Sequence, residues 1–323
     1  MKNPVSRYRL PAGSRRFVPA LVAALLLGAL PEGAFAGTTK TPAEPISSLW
    51  VKPVDLPSRD LFAGPPGPQI ASGETFHFKS SDTKGHSDGY DVKDSKGRTW
   101  DVKLGDEAQP EVVTSRILWA LGYHQPIVRY VSHWRMAGGP TTQPEPGRFR
   151  LASDHRTEGE WSWHKNPFVE TPAYRGLVLA NVILNNWDLD RTNNRVYRSD
   201  LWPKGQERRY VVQDVGASLA KTRWPIGTRN DLEDFESQDF VIGVRNGRVE
   251  FDFHGNHTDL VRDMKPPDVA WICRLMSRLS DRQLDDAFRA AEYPPEVRAR
   301  YVRKIREKIA QGLELGDGRE ARR

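Results

Sequence analysis

The sequence predicts an α+β fold in which a small β-rich lobe with one helix precedes a larger, mainly helical lobe. Three observations carry this prediction. Short runs within residues 71–104 alternate apolar and polar side chains, which is the period of half-buried strands. Most segments after residue 165 instead repeat apolar side chains at helical spacing. A polar segment with hairpin character, 185–216, lies where the two patterns meet.

The chain begins with the pattern of an export signal. Arg15 and Arg16 precede an apolar run, Phe17–Leu30, and Ala34–Ala36 resembles a cleavage site. The alternative is a membrane anchor, but these 14 residues are fewer than the roughly 20 that span a bilayer. We therefore expect residues 1–36 to be removed, leaving an exported protein, periplasmic or secreted, with no stable membrane anchor.

The charge balance gives no support for nucleic-acid binding, and the cysteine content excludes an intrachain disulfide. Residues 1–36 hold five basic and one acidic side chain, so the remainder has 43 basic and 41 acidic ones, a net charge of +2. Such a balance gives no electrostatic footprint for nucleic acid. Cys273 is the sole cysteine, which excludes an intrachain disulfide, and its helical surroundings predict a buried structural thiol.

Composition and periodicity divide the first half of the chain into an arm and a lobe. Residues 37–70 hold seven prolines and three glycines and are expected to form an extended arm against the body, or a linker. Residues 71–165 are expected to form the β-rich lobe. Its predicted elements are strands at 75–78, 89–92, 99–104, 127–131 and 149–151, a helix at 108–121 ending before Gly122, and a loop or hairpin tip at 134–147.

The second half, residues 166–312, is expected to form the helical lobe. Residues 172–186 are apolar on nearly all sides, which is typical of a buried helix. Asn246-Gly247 predicts a hairpin over 238–253. Further helices are predicted at 267–279, 281–291 and 295–312, followed by a charged, flexible tail over 313–323.

A strand lysine and a helix glutamate form the first candidate pair for chemistry. Lys103 ends a predicted strand, and Glu111 lies eight residues later, early in the next helix. A strand lysine held by a helix glutamate positions nucleotide phosphates in protein kinases. Glu107 lies one turn earlier on the same helical face, so it competes with Glu111 for this role.

Three polar residues are predicted to meet at one end of the junction hairpin. Asp188 follows the buried helix, Asn193 comes five residues later, and Asp214 ends the second strand before Gly216. Phosphoryl transfer from Mg-ATP needs one carboxylate to orient the attacking hydroxyl, and an amide and a carboxylate to hold metal. Asp190 competes with Asp188 for the first role.

In this order of motifs the chain resembles the protein-kinase-like superfamily, in its atypical branches. Asn186-Trp187-Asp188 with Asn193 is similar to the catalytic loop of HipA-type, phosphoinositide and CotH-type kinases, and Asp214-Val215-Gly216 is similar to their metal-binding segment. The resemblance implies a two-lobed protein-kinase-like fold, ATP and Mg²⁺ as cofactors, and a protein or small hydroxyl acceptor. It implies that Lys103 binds phosphates, Glu111 fixes Lys103, Asp188 is the catalytic base, and Asn193 and Asp214 bind Mg²⁺.

The segment that would cover the phosphates departs from the kinase pattern. No G-x-G-x-x-G is present, and the nearest candidate is Gly85-His86-Ser87-Asp88-Gly89. A short turn there is expected to bring Gly85 and Gly89 to the nucleotide.

Two other functions remain open from the sequence. The first is a kinase-fold nucleotide-binding or scaffold protein without turnover. The second is a carbohydrate-binding protein of the cell envelope that uses aromatic side chains such as Trp161 and Trp163, although such residues more often pack in a core. His254 and His257 are three residues apart, but no neighbouring motif completes zinc spacing.

Overall fold

The computed structural model describes residues 44–82, 87–223 and 227–316, and its amino-terminal lobe is built on a six-stranded sheet. The strands are β1 Thr75–Asp82, β2 Gly89–Lys93, β3 Thr99–Leu104, β4 Val128–Val131, β5 Arg135–Ala137 and β6 Gly147–Leu151. Their order in the sheet is β4-β6-β3-β2-β1-β5. All neighbours are antiparallel except β1 and β5, which run parallel.

Strand β3 shows how alternation in the sequence positions the site. Trp100 and Val102 are buried in an apolar cluster that includes Phe76 and Phe149. Because successive side chains of a strand point to opposite faces, Asp101 and Lys103 lie on the other face of the sheet. That face borders the cleft between the lobes.

Helix α1, Ala108–Ala120, lies against β4 and β6 and is buried over most of its length. Its end agrees with the prediction, since Gly122 follows with a φ of +99°. A Cβ atom there would lie 2.1 Å from the carbonyl oxygen of Val51. The glycine therefore serves both the turn and the close approach of the arm.

The prediction of a loop over residues 134–147 was wrong in one part. Arg135–Ala137 forms β5, which pairs with the start of β1. Trp134 and Met136 are buried in the apolar cluster of this lobe, and their burial stabilises the short strand. Three residues directly before Gly138-Gly139-Pro140 are too few for a recognisable period.

The carboxy-terminal lobe is mainly helical. Its helices are α2 Pro172–Ile183, α3 Leu232–Glu236, α4 Pro266–Met276, α5 Asp281–Arg289 and α6 Pro295–Glu314. Its strands are β7 Arg156–Gly159, β8 Asn194–Arg198 and β9 Arg208–Val212 in one sheet, and β10 Val241–Arg245 with β11 Arg248–Phe251 in another. The predicted α+β fold with a β-rich lobe and a helical lobe is confirmed.

Helix α2 leads into the loop that carries Asp188. Thr171 caps its start by accepting the N–H of Tyr174, with Pro172 as the first helical residue. The helix is buried on nearly all sides, as predicted. It ends at Ile183, earlier than predicted, because Asn185 adopts a left-handed φ of +54° and turns the chain into the polar loop.

The last three helices close the core of this lobe. Ser280 and Gln283 form the predicted capping box at the start of α5. Cys273 in α4 is fully buried, as predicted, and burial raises the pKa of its thiol to about 12. No helix in the described part of the chain is long and apolar enough to cross a membrane.

The described part of the arm, residues 44–70, lies against both lobes. Leu56 and Leu61 are fully buried, whereas Phe62 remains 45% exposed. Gln283 of α5 donates to the carbonyl of Leu56 at 2.8 Å, and Arg116 of α1 donates to that of Leu61 at 2.8 Å. The predicted signal peptide and residues 317–323 of the predicted tail lie outside the described residues.

Candidate active site between the lobes

Lys103 is the centre of a carboxylate cluster on the cleft face of β3. Its Nζ lies 2.6 Å from Oδ2 of Asp214, 3.1 Å from Oε2 of Glu107 and 3.2 Å from Oε2 of Glu111. Burial opposes the charge of the lysine, but Glu111 and Asp214 raise its pKa. Glu107 and Glu111 therefore both contact Lys103. Their other contacts indicate which of them anchors the lysine.

Glu111 has a second partner that the sequence reasoning missed. Its Oε1 lies 2.9 Å from Nε of Arg148, and both side chains are fully buried. Arg148 also contacts the carboxylate of Asp101. Burial opposes the charge of Arg148, but Glu111 and Asp101 raise its pKa. Glu111 thus links the strand lysine to an arginine on β6, opposite Lys103 in the sheet.

Glu107 faces the other lobe. Its Oε1 lies 2.6 Å from Nε of Arg229, and Ser87 donates to its Oε2 at 3.1 Å. The guanidinium of Arg229 in turn lies 4.7 Å from the ring centroid of Trp187, just before Asp188. Glu107 therefore joins the lysine to the carboxy-terminal lobe, whereas Glu111 anchors it within the amino-terminal lobe.

Asp188 is held by two side-chain amides. Asn193 donates to its Oδ2 at 3.1 Å, and Asn256 donates to its Oδ1 at 2.8 Å. Burial raises the pKa of Asp188, and the nearby carboxylate of Asp214 adds to this rise. Both carboxylate oxygens are thus oriented, while protonation is easier than for an ordinary aspartate.

Asn256 was not predicted from the sequence. Its Oδ1 accepts the N–H of Leu189 at 2.6 Å, and its own N–H donates to the carbonyl of Trp187 at 2.9 Å. It lies 68 residues after Asp188, in a segment noted only for its histidines. No local pattern connects such distant positions, so only the tertiary fold reveals this contact.

Asp188 and Asp190, the two candidates for orienting the attacking hydroxyl, have different surroundings in the structure. Asp188 lines the cleft. Asp190 instead caps the short 3-10 helix Arg191–Asn193, since its Oδ1 accepts the N–H and the hydroxyl of Thr192, each at 2.8 Å. These hydrogen bonds lower the pKa of Asp190. The geometry therefore favours Asp188 for chemistry and Asp190 for shaping the loop.

Asp214 lines the cleft two residues after the end of β9. Its N–H donates to the carbonyl of Asn193 at 3.2 Å, which fixes the two segments side by side. Burial opposes ionisation of Asp214, but Lys103 holds its pKa down at about 2. Gly216 allows the chain to pass close to Glu107, because a Cβ atom there would lie 2.8 Å from Cβ of Glu107.

The predicted glycine turn is only partly within the structure. Gly85 lies outside the described residues. Gly89 is the first residue of β2, pairs with Lys103 and lines the cleft. A Cβ atom on Gly89 would lie 2.2 Å from the carbonyl oxygen of Val102, so glycine is needed there for strand pairing. That residues 85–89 cover the phosphates of a bound nucleotide remains a prediction.

The cleft that these residues line has a volume of about 280 Å³. Lys103, Asp188, Asn193 and Asp214 all border it, while Glu111 lies buried behind Lys103. A larger cavity of about 890 Å³ shares Asp91, Asp101 and Arg150 with the cleft. This cavity extends along residues 151–155, which connect the two lobes, and along the hairpin formed by β8 and β9.

Comparison with known proteins gives low similarity. No protein-family model matches the chain, and no curated protein sequence matches it. Among solved structures, the proinflammatory kinase CtkA of Helicobacter pylori has a TM-score of 0.48 and 11% identity, over 76% of this chain and 97% of that one. The Golgi casein kinase with Mn/ADP bound has a TM-score of 0.40 and 8% identity, over 78% of this chain and 75% of that one. A second Golgi casein kinase structure has a TM-score of 0.38 and 8% identity, over 78% and 74%.

The polar side chains of the cleft fit a divalent cation with phosphate groups. Mg²⁺ takes oxygen ligands, usually one or two carboxylates together with phosphates and water. Asp214 is ionised at neutral pH, and Asn193, which also lines the cleft, keeps its amide oxygen available because its Nδ2 donates to Asp188. Lys103 supplies the cation that would face phosphate oxygens.

The aromatic residues considered for carbohydrate binding are not on the surface. Trp161 and Trp163 are buried, with 4% and 2% of their surface exposed. Their rings lie 4.8 Å apart, and Trp161 donates to the carbonyl of Val211 at 3.0 Å. They support the strand that leads to Asp214, so they provide no platform for a sugar.

Proposed function

We propose that this protein is a kinase-like phosphotransferase that uses Mg-ATP and transfers a phosphoryl group to a hydroxyl of a protein or small molecule. The supporting observation is the convergence of Lys103, Asp188, Asn193 and Asp214 on one cleft, with Lys103 anchored by the buried Glu111. The predicted signal peptide supports the further proposal that the protein acts outside the cytoplasm.

The contacts of each residue support a proposed role. Mg-ATP, when bound, supplies the phosphoryl group and a divalent charge next to it. Asn193 and Asp214 would hold the metal, and Lys103 would bind phosphate oxygens in place of its present contact with Asp214. Glu111 would keep the Lys103 Nζ at the cleft with Asp214 free to hold the metal.

Asp188 would orient the acceptor hydroxyl and take its proton. Asn193 and Asn256 leave each of its carboxylate oxygens one further lone pair. Its raised pKa suits a base, because proton transfer is most efficient when the pKa approaches the working pH.

A second candidate is a nucleotide-binding scaffold without turnover. Asp91, Asp101 and Arg150 lie between the cleft and the larger cavity, where a purine base would extend from phosphates at Lys103. Ligand sites are mostly apolar, and these three side chains give this boundary a charged surface. This observation favours weak or altered base binding over an efficient kinase.

Substitution of the two aspartates tests the proposal. Asp188→Asn should lower transfer of labelled γ-phosphate from ATP, to the protein itself or to a general protein acceptor, by about 10²- to 10⁴-fold. Asp190→Asn, the matched control two residues away, should retain most activity. Wild-type protein that binds Mg-ATP but transfers no phosphate would favour the scaffold, and loss with Asp190→Asn alone would reassign the base.

A further inference from the structure

A second cluster of metal-binding side chains lies outside the cleft. His164 Nε2 is 2.7 Å from Oδ2 of Asp259, and the ring centroids of His164 and His257 are 5.0 Å apart. One ligand atom from each residue lies within 4.8 Å of the other two. All three residues are exposed, so an ion can reach them from solvent.

The backbone holds these three residues in place. His164 lies in a turn where Ser162 Oγ accepts its N–H at 3.2 Å, next to the buried Trp163. His257 has a left-handed φ of +53° and begins the 3-10 helix Thr258–Val261, which carries Asp259. Two segments almost a hundred residues apart in sequence thus present ligands to one point.

The chemistry of this set suits a transition metal. Imidazole nitrogen and carboxylate oxygen are ligands of Zn²⁺, and sites with three protein ligands leave a fourth position for water or another group. Zinc–ligand bonds of about 2.0–2.2 Å need ligand atoms a little over 3 Å apart. Since the three ligand atoms already lie within 4.8 Å of one another, they need to come at most about 1.5 Å closer to reach that spacing.

We propose that His164, His257 and Asp259 form a binding site for Zn²⁺ or a similar divalent transition metal. Such an ion would fasten the turn at 162–165 to the segment that carries Asn256. Asn256 immediately precedes His257 and donates to Asp188. Binding of the ion does not depend on the proposed phosphotransferase activity, and its effect on Asp188 would rest on that proposal.

Zinc titration of untagged protein, after treatment with a chelator, tests the site. The wild-type protein should bind about one equivalent of Zn²⁺, and its melting temperature should rise by ~5 °C at roughly a hundredfold excess over the Kd. The double substitution of His164→Gln and His257→Gln should remove both effects. Its metal-free melting temperature should lie within ~3 °C of the wild type, since both side chains are exposed and the His164–Asp259 pair is a surface contact.

Two control variants separate this site from its neighbours. His254→Gln should retain zinc binding, because His254 pairs with Asp252 at 3.1 Å. Asp214→Ala should also retain it, because Asp214 belongs to the cleft. The proposal is wrong if wild-type protein binds no stoichiometric zinc, or if the double variant binds as well as the wild type. Loss of zinc binding in Asp214→Ala alone would place the metal in the cleft instead.

Discussion

At the scale of single residues, the candidate site depends on a buried ion pair behind Lys103. Glu111 and Arg148 are both fully buried and lie 2.9 Å apart. A buried pair of this kind contributes little net stability over apolar packing, but loss of one partner leaves an uncompensated charge. The pair is therefore better explained by the position it gives Lys103 than by stability.

Substitution of the two glutamates separates their roles. Glu111→Gln should lower the free energy of unfolding by about 3 kcal/mol, because Arg148 would stay buried without its carboxylate partner. Glu107→Gln should cost less than half as much, since it leaves the Glu111–Arg148 pair intact. Urea denaturation of both variants measures the difference. Equal losses of unfolding free energy in the two variants would contradict the importance of the Glu111–Arg148 pair.

The sequence allowed prediction of those site residues that neighbour each other along the chain. Asp188 and Asn193 share one loop, and Lys103 follows from the alternation of β3. Arg148 and Asn256 were missed because they reach the site through strand pairing and a distant loop. Arg148 alternates with the buried Phe149, and this signal could have placed it on the face of Lys103.

At the scale of elements, the amino-terminal arm is attached through a partly buried histidine. His124 Nε2 lies 2.8 Å from the carbonyl of Ser47, and Arg209 donates to its Nδ1 at 2.7 Å. Burial lowers the pKa of His124 to about 4, and the charge of Arg209 acts in the same direction. In this setting the neutral imidazole joins the arm to β9.

This contact predicts a pH-dependent stability. Because the pKa of His124 is near 6.5 in the unfolded chain, the unfolded state binds more protons between pH 6.5 and about 4. The contribution of His124 to the free energy of unfolding should therefore be complete above pH 6.5. Up to about 3 kcal/mol of that free energy should be lost as the pH falls to 4. Melting temperatures across this range measure the loss. His124→Gln should flatten the curve, and an unchanged slope would contradict the account.

Elements with a long, regular pattern were predicted well, and short ones were not. Helices α2 and α5 begin at capping residues that the sequence displays, whereas Gly122 marks the end of α1 and Pro295 the start of α6. Strands β5 and β7 and helix α3 have three to five residues each, too few for a period. Their pairing and packing with distant segments determine their structure.

At the scale of the whole molecule, the fold brings a strand of one lobe and a hairpin of the other to a shared cleft. Lys103 on β3 meets Asp214 after β9 across a separation of 111 residues. The larger cavity beside the cleft combines residues from the arm, the amino-terminal lobe and the hairpin. A nucleotide bound across both spaces would contact both lobes and should stabilise the native protein.

The melting temperature with nucleotide and Mg²⁺ therefore tests the central claim most directly. At about a hundredfold excess over the Kd, Mg-ATP should stabilise the protein by ~2.7 kcal/mol, equivalent to a rise of ~5 °C. Asp214→Ala should lose this rise relative to its own ligand-free state, and Asp190→Asn should keep it. The account is contradicted if neither ATP nor GTP, with Mg²⁺ or Mn²⁺, changes the melting temperature of the wild-type protein.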